Sequence, residues 1–225
     1  IIVNPQHPEC NYPNKQLSGV GVVWKTLQVL DEKLNVEFSN KFLDLVACGI
    51  VSDIMSIAEP ENRYIISRGI KTINNPGLKA LLYINKKDGK DISTQTISFV
   101  LAPQINGIAR LNEIELAINL FLENDINKCV KIAKEIKEKN DAKKYKEDNL
   151  FQIAEQQVKG EDKVIIAIID GDKSFNGLVA AKLVDKYSKH AIVLNEKDGF
   201  LSGSIRSFGG FNLRDFLREI EHIKY

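Results

Sequence analysis

The stretch LVACGIVSDIMSI, residues 45–57, places one acidic side chain inside a run of apolar and small residues. An ionised carboxylate buried alone in such a run costs several kcal/mol or has its pKa pushed upward, so Asp53 must be paired, hydrogen-bonded or bound to a metal ion. From this stretch alone, a polar residue at the end of a buried helix or strand is an equally good interpretation. The flanking segments are therefore needed to decide between these two interpretations of Asp53.

The composition narrows the class of protein. The chain has 225 residues, 44% of them hydrophobic and 27% charged, which is ordinary for a globular protein. No apolar run approaches the roughly 20 residues that span a bilayer, and the three cysteines are widely spaced without a CxxC pair. We expect a cytoplasmic protein without membrane contact, disulfide framework or zinc knuckle. The lack of an initiator methionine and the apolar start predict a piece of a longer protein.

The net charge of +1 gives no global attraction for nucleic acid. Any phosphate binding must therefore come from local clusters of donors. The lysine-rich segment that follows Asp125 could be such a cluster, but glutamates alternate with the lysines, which favours a solvated helix face.

The first half of the chain predicts mostly helices. Val3 and the two residues before it suggest a short strand, and the proline-rich segment after it suggests a loop. Ser18 is expected to cap a helix, and Ser93 a second one that ends before Pro103. Apolar periodicity predicts helices over residues 19–34, 39–55 and 112–122. Two more are predicted between residues 61 and 85, separated by the breaker at residues 74–77.

The segment APQINGIARLNE, residues 102–113, predicts an interrupted backbone, because Pro103 and Gly107 break regular structure. Asn106 and Arg110 would place hydrogen-bond donors in that interruption, which suits an anion. A loop between two helices is the alternative. Asn112 and Glu115 resemble a capping box that opens the next helix.

The second half predicts a long charged helix from Asp125 to about Gln157, followed by a small module in the order strand, helix, strand, strand, helix. The long helix would separate two domains. The sequence IDGD that ends the first strand resembles a metal-binding pair of carboxylates, but its context favours a turn, so we assign Asp170 and Asp172 to a turn. His7 and Cys10 are spaced like metal ligands and lack partners.

The sequence GSIRS has the parts of a phosphate cradle: Gly203 for close approach, the hydroxyls of Ser204 and Ser207, and the guanidinium of Arg206. A β-turn with an exposed arginine is the alternative.

Seven segments resemble, in order, the RecJ-type single-strand-specific exonucleases of the DHH phosphoesterase superfamily. They are IIVNPQHPEC at residues 1–10, SGVGVVWKTLQVL at 18–30, the stretch around Asp53, ENRYIISRGIKTINNPGLKALL at 61–82, FVLAPQINGIARLNE at 99–113, SFNGLVAAKLVDKY at 174–187 and GSIRSFGGFNLRDFL at 203–217. The resemblance implies a two-lobed α/β fold. Residues 1–122 would be the later part of a partial Rossmann-like DHH domain, residues 123–160 a connecting helix, and residues 161–225 a small α/β DHHA1 domain that binds substrate.

The resemblance also implies an activity: metal-dependent hydrolysis of single-stranded DNA from the 5′ end, in DNA repair and recombination. Asp53 would hold Mn²⁺ or Mg²⁺, Asn106 and Arg110 would steady the scissile phosphate, and Gly203, Ser204, Arg206 and Ser207 would hold the DNA backbone. Single-stranded DNA and other repair or replication proteins are the expected partners. This interpretation requires that Asp53 is not sealed within the protein interior.

The sequence also departs from the family. No D-x-D or DHH metal motif precedes Asp53, the glycine-histidine motif that usually follows the DHHA1 loop is missing, and Ala109 and Ile205 stand where the family usually has glycine. Two alternatives therefore stay open. One is a catalytically inactive relative that binds nucleic acid or acts as a replication scaffold, and the other is a DHH phosphatase that acts on short oligonucleotides.

Overall fold

The computed structural model describes residues 3–89 and 91–219, and the chain divides into two compact units, Ile1–Asn140 and Asp141–Tyr225. The described part of the first unit is helical. Its helices are α1 (Gly19–Leu34), a 3₁₀-helix (Ser39–Phe42), α2 (Leu43–Ser52), α3 (Pro60–Gly69), α4 (Pro76–Ile84), α5 (Thr94–Thr96), a π-helix (Ile97–Leu101), α6 (Ala102–Arg110) and α7 (Ile114–Leu122). The predicted domain limits at residues 122 and 160 stay a prediction.

The helix starts follow the chemistry of their first residues. The Ser18 hydroxyl accepts a hydrogen bond from the Gly21 N–H, and the Asn75 side chain accepts one from the Leu78 N–H, so both residues satisfy N–H groups that have no helical partner. Pro76 occupies the first position of α4, where its missing N–H costs nothing. The predicted caps at Ser18 and Ser93 are confirmed.

The predicted interruption at Pro103 and Gly107 is wrong. The helix that Ser93 caps runs on through the π-helix and α6 to Arg110, with no break at either residue. Pro103 lies inside this continuous helix, just after the π-helix. The irregularity lies just upstream instead, in the π-helix, where the Ala102 N–H donates to the Ile97 carbonyl five residues back.

Two other predictions are wrong, the strand at Val3 and the capping box at Asn112. Val3 lies outside any strand, while the two residues before it are outside the described part of the chain. Asn112 does not open α7 by a capping box: it has φ 58° and closes α6, and no side chain caps α7. Asparagine tolerates this left-handed conformation. Asn112 therefore ends α6 and does not cap α7.

Helix α8 (Ile126–Glu155) is the predicted long charged helix, and it crosses the boundary between the two units at Asn140 and Asp141. Its buried face contributes Cys129, Ala133 and Ile136 to the core of the first unit and Ala154 to the core of the second. The lysines on its outer face pair with neighbouring carboxylates in several places, as Lys139 does with Glu113 at 2.7 Å.

The second unit has the predicted order of elements. Strand β1 (Val164–Ile168) pairs in parallel with β2 (His190–Lys197), and β2 pairs antiparallel with β3 (Phe200–Arg206). A 3₁₀-helix (Lys173–Phe175) and α9 (Asn176–Tyr187) make the crossover between β1 and β2, and α10 (Leu213–Arg218) follows the sheet. The predicted continuation of α10 to about His222 lies outside the described residues.

Turn chemistry sets the register of the β2–β3 hairpin. Lys197 pairs with Phe200, which leaves a two-residue loop of Asp198 and Gly199 with φ 52° and 76°. Two positive φ values in an Asp-Gly loop are typical of the tight hairpin whose twist matches that of the strands. Within the part of the chain that the structure describes, no helix is long and apolar enough to cross a membrane.

Candidate nucleic-acid interface

Asp53 lies at the C-terminal end of α2 and is exposed to solvent, not sealed in the interior. The helix ends in a Schellman motif: the Ile54 N–H donates to the Val51 carbonyl at 3.2 Å, and the Met55 N–H donates to the Ile50 carbonyl at 3.1 Å. The end of a helix carries about half a negative charge. Together with the Asp53 carboxylate, it makes this end of α2 attractive to a cation.

Ile54 holds the left-handed position of that motif, with φ 54°, and its side chain is 91% exposed. Glycine or asparagine usually occupies this position, because a branched Cβ is strained there. The chain therefore keeps a strained and exposed isoleucine directly beside Asp53.

The loop that follows Asp53 is held by a buried amide. The Asn62 side chain, which is 0% exposed, donates to the Ser56 carbonyl at 3.0 Å and to the Gln16 carbonyl at 2.8 Å. Its oxygen accepts a hydrogen bond from Asn14 at 3.0 Å. A fully satisfied buried amide fixes the segments that it joins, so Asn62 holds the loop between α2 and α3 against the loop before α1.

Glu61 extends this network. It accepts hydrogen bonds from Tyr12 at 2.7 Å and Asn14 at 3.0 Å, and pairs with Lys25 at 3.2 Å. Burial alone would raise the pKa of Glu61, but these three partners outweigh it and lower that pKa. Burial and the bond to Glu61 raise the pKa of Tyr12 to about 12. Glu61 therefore stays ionised and Tyr12 stays protonated at neutral pH.

Asn106 and Arg110 lie one helical turn apart on α6, and both are exposed. The π-helix ahead of α6 packs against α2, the helix that ends at Asp53. Asp53, Asn106 and Arg110 thus come from packed elements of one unit, and no hydrogen bond or ion pair joins them in the described part of the chain. No carboxylate is ion-paired with the Arg110 guanidinium among the residues that the structure describes.

Gly107 does not break α6 but lets α8 approach it. A Cβ at this position would lie 1.7 Å from the Asn140 Oδ1 atom. The Asn140 amide donates to the carbonyls of Gln104 and Ile136, each at 2.9 Å. Gly107 is therefore required by helix packing.

The GSIRS segment lies in the predicted third strand of the module, and its role as a phosphate cradle stays a prediction. Gly203, Ser204 and Arg206 belong to β3, and Ser207 directly follows it. A Cβ at Gly203 would lie 2.0 Å from the Val193 carbonyl oxygen. Gly203 therefore allows close approach of the neighbouring strand, and nothing in its geometry indicates close approach of a phosphate.

Ser204 and Arg206 point to the same side of the sheet, toward the first turn of α9. A Cβ at Gly177 would lie 3.0 Å from Arg206 Nη2 and 3.5 Å from Ser204 Oγ, so both donors lie against this turn. The turn has no side-chain cap, and the positive end of a helix dipole attracts anions. A hydroxyl, a guanidinium and a helix start are thus combined at one place.

Asn176, the first residue of α9, is 0% exposed beside this group. Its amide nitrogen reaches the Ser202 carbonyl at 3.5 Å, and its Oδ1 atom has no hydrogen-bond partner among the residues that the structure describes. A buried acceptor without a partner is uncommon in folded proteins.

A metal ion would need more ligands than these residues offer. Divalent cations of the Mg²⁺ and Mn²⁺ type take about six oxygen ligands. In residues 3–89 and 91–219, no group of three or more His, Cys, Asp or Glu side chains could hold a metal ion. Asp53 could supply one carboxylate, so the described residues do not fit a complete metal centre. Asp170 is exposed, and Asp172 accepts a hydrogen bond from the Ser174 N–H at 2.9 Å, as a turn residue does.

Sequence reasoning missed the residues that place the donors. Gly177, Asn140 and Asn62 each act through a partner far away in the chain, which no local pattern reveals. The one available signal was a glycine at the start of α9, where a helix former would be expected.

Comparison with known proteins finds similar chains among the single-stranded-DNA-specific exonucleases. The single-stranded-DNA-specific exonuclease RecJ of Bacillus subtilis is 34% identical over 231 residues, which are 99% of this chain and 29% of that protein. The chain is similar to the RecJ-type exonucleases over almost its whole length. RecJ of Escherichia coli is 27% identical over 98% of this chain, and a putative single-strand DNA-specific exonuclease of Bacillus phage SPbeta is 31% identical over 98%. This RecJ-type chain covers 42% and 43% of those two proteins. No protein-family profile matches it.

Solved structures give the same fold. RecJ of Thermus thermophilus in complex with Mg²⁺ superposes with a TM-score of 0.81 at 24% identity, covering 96% of the RecJ-type chain and 34% of that protein. An exonuclease RecJ bound to manganese gives a TM-score of 0.78 over 94% of this chain and 54% of that one. The predicted mixed α/β fold is thereby confirmed.

Proposed function

We propose that this chain is the DNA-holding part of a single-stranded-DNA-specific exonuclease that works from the 5′ end in DNA repair and recombination in the cytoplasm. The observation that carries the proposal is the group formed by Ser204, Arg206 and the uncapped first turn of α9, combined with similarity to RecJ proteins over 99% of the chain. Other repair or replication proteins are its expected partners.

The donor group of the second unit would hold the phosphate backbone. A guanidinium offers two parallel N–H donors to a phosphate, and the Ser204 hydroxyl adds a neutral donor beside the positive end of the α9 dipole. Ser207 would extend the contact past the end of β3. None of these groups reads a base edge, so binding should be independent of sequence.

The exposed donors of α6 would act on the same strand in the first unit. Arg110 carries a charge that no carboxylate neutralises in the described part of the chain. Asn106, one turn away, can donate through its amide. We assign these two residues to the phosphate that is to be cleaved.

Asp53 would supply one carboxylate to Mn²⁺ or Mg²⁺, and an ion held there with further ligands would supply the activation of water and the neutralisation of phosphate charge. Its place at the negative end of α2 and its exposure suit that role. Because the described residues offer no further cluster of ligands, the role assigned to this chain is to hold and orient the strand.

The test of DNA binding measures the affinity of oligothymidine by fluorescence anisotropy across a range of salt concentrations. Arg206→Ala should weaken binding and reduce the slope of log affinity against log salt by about 0.7, the value for one phosphate contact on a single strand. Arg63→Ala, which removes an exposed arginine from α3, is the matched control. An unchanged affinity and slope in Arg206→Ala would refute the assignment.

The lack of further metal ligands in the described residues favours a second candidate, a protein that binds single strands without cutting them. A Mn²⁺ titration with end-labelled single-stranded DNA separates the two. Release of nucleotides that Asp53→Asn abolishes supports the exonuclease, and binding without release supports the second candidate. A preference for dinucleotides over long strands would instead indicate a phosphatase for short oligonucleotides.

A further inference from the structure

An exposed aromatic side chain lies on the same face as Asn106 and Arg110. Phe99, Pro103, Asn106 and Arg110 follow one another at spacings of four, three and four residues on a continuous helix, and all four are exposed. Residues at these spacings lie on one side of a helix. We call these four residues the Phe99 stripe.

Phe99 is held out into solvent by a fixed turn. Its side chain is 79% exposed, while Ile97 and Leu101 on either side are both 0% exposed and belong to the core of the first unit. The three residues form the middle and ends of the π-helix. Such helices are rare and are often found at functional sites. The ring is thus presented by a rigid backbone rather than by a loose loop.

A single exposed apolar residue is common and by itself indicates no function. What distinguishes Phe99 is the chemistry that follows it along the stripe. At 1.5 Å per residue, Asn106 lies about 10 Å and Arg110 about 16 Å farther along the helix axis. An aromatic ring in line with an amide and a guanidinium is the combination that binds single strands, because bases stack on the ring while the phosphates contact the donors.

We propose that Phe99 stacks on a nucleobase of the single strand whose phosphates contact Asn106 and Arg110. This inference rests on the proposed function and adds a base-binding residue to it. Because every base has a flat π-face, the contact would be independent of sequence. It would also favour single strands over duplexes, in which the bases are already stacked.

The experiment compares oligothymidine with an abasic oligonucleotide of equal length, each titrated with the chain. Phe99→Ala should weaken oligothymidine binding about tenfold and leave abasic binding unchanged. Phe99→Trp should restore the affinity for oligothymidine, and its new fluorescence should be quenched by oligothymidine alone. Trp24 is 4% exposed and should give a constant background. Tyr145→Ala removes an aromatic side chain that is 70% exposed on α8, and is the matched control.

Three outcomes would overturn the inference. If Phe99→Ala binds oligothymidine like the wild type while Arg110→Ala weakens it, the stacking is wrong and DNA binding stands. If Phe99→Ala weakens both oligonucleotides equally and Phe99→Trp does not recover, the ring acts through the fold rather than through a base. If the wild type binds neither oligonucleotide, the proposed function fails and the stacking fails with it.

Discussion

Helix α6 in the first unit and strand β3 in the second carry similar donors in different ways. On α6, Asn106 and Arg110 are one helical turn apart and project into solvent. On β3, Ser204 and Arg206 are two residues apart and lie against the first turn of α9. The first arrangement leaves the guanidinium free to change its conformation, whereas the second holds it beside a helix start.

Each arrangement depends on a glycine, but for different reasons. Gly107 makes room for the Asn140 side chain, while Gly203 makes room for the backbone of β2. A side chain can move away at modest cost, and a paired strand cannot. Substitution by alanine should therefore lower the free energy of unfolding more at Gly203 than at Gly107.

The largest effect is expected at Gly203. A Cβ there would lie 2.0 Å from the Val193 carbonyl oxygen and 2.8 Å from the Leu194 Cα atom, so β2 and β3 would have to separate. Gly203→Ala should lower the free energy of unfolding of the second unit by about 3 kcal/mol, as measured by urea denaturation. Gly210→Ala, where a Cβ meets open space, is the control. A loss below about 0.5 kcal/mol would mean that the strands do not approach this closely.

A smaller effect is expected at Gly107. Gly107→Ala should displace the Asn140 amide, which loses two hydrogen bonds, and should cost about 2 kcal/mol. In the background of Asn140→Ala, those bonds are already absent and the Cβ has room. There the same substitution should stabilise the helix by about 0.5 kcal/mol, since alanine is the better helix former. If the effect keeps the same sign in both backgrounds, the packing of α6 on α8 through this pair is wrong.

The two helix ends next to the first unit's candidate residues give a further comparison. Both α2 and α6 close with a Schellman motif, but the left-handed position holds Ile54 in one and Asn112 in the other. Ile54→Asn copies the second end onto the first and should raise the free energy of unfolding by about 1 kcal/mol. Ile57→Asn, at an isoleucine that is 63% exposed and not left-handed, should give no such gain. An equal gain in both variants would show that exposed apolar surface, not backbone strain, is responsible.

These contrasts also explain what could be predicted from the sequence. Helix starts at Ser18 and Ser93 and the strand order of the second unit follow from local chemistry and apolar periodicity, so the sequence predicted them. The segment around Arg110 was predicted as irregular because glycine and proline usually break regular structure. In the segment around Arg206, glycine was predicted to allow close approach of a phosphate. The glycines of both segments instead serve contacts with Asn140 and with β2, which lie far away in sequence. Long-range packing overrode the local signal at both places.

The smallest effect separates binding from stability at Gly177. A Cβ there would lie 3.0 Å from Arg206 Nη2, so the guanidinium would have to move by a few tenths of an ångström while the helix gains a better helix former. Gly177→Ala should therefore leave the protein as stable as the wild type or slightly more stable in urea denaturation, yet bind oligothymidine about threefold more weakly in fluorescence anisotropy.

Gly19→Ala is the matched control for this variant, because it lies in the first turn of α1 and a Cβ there meets nothing within 4 Å. It should share any gain in stability and leave DNA affinity unchanged. If Gly177→Ala binds as tightly as the wild type, the held guanidinium of β3 has no advantage over the free one of α6. The contrast between the two arrangements would then lie in stability alone and not in recognition of the strand.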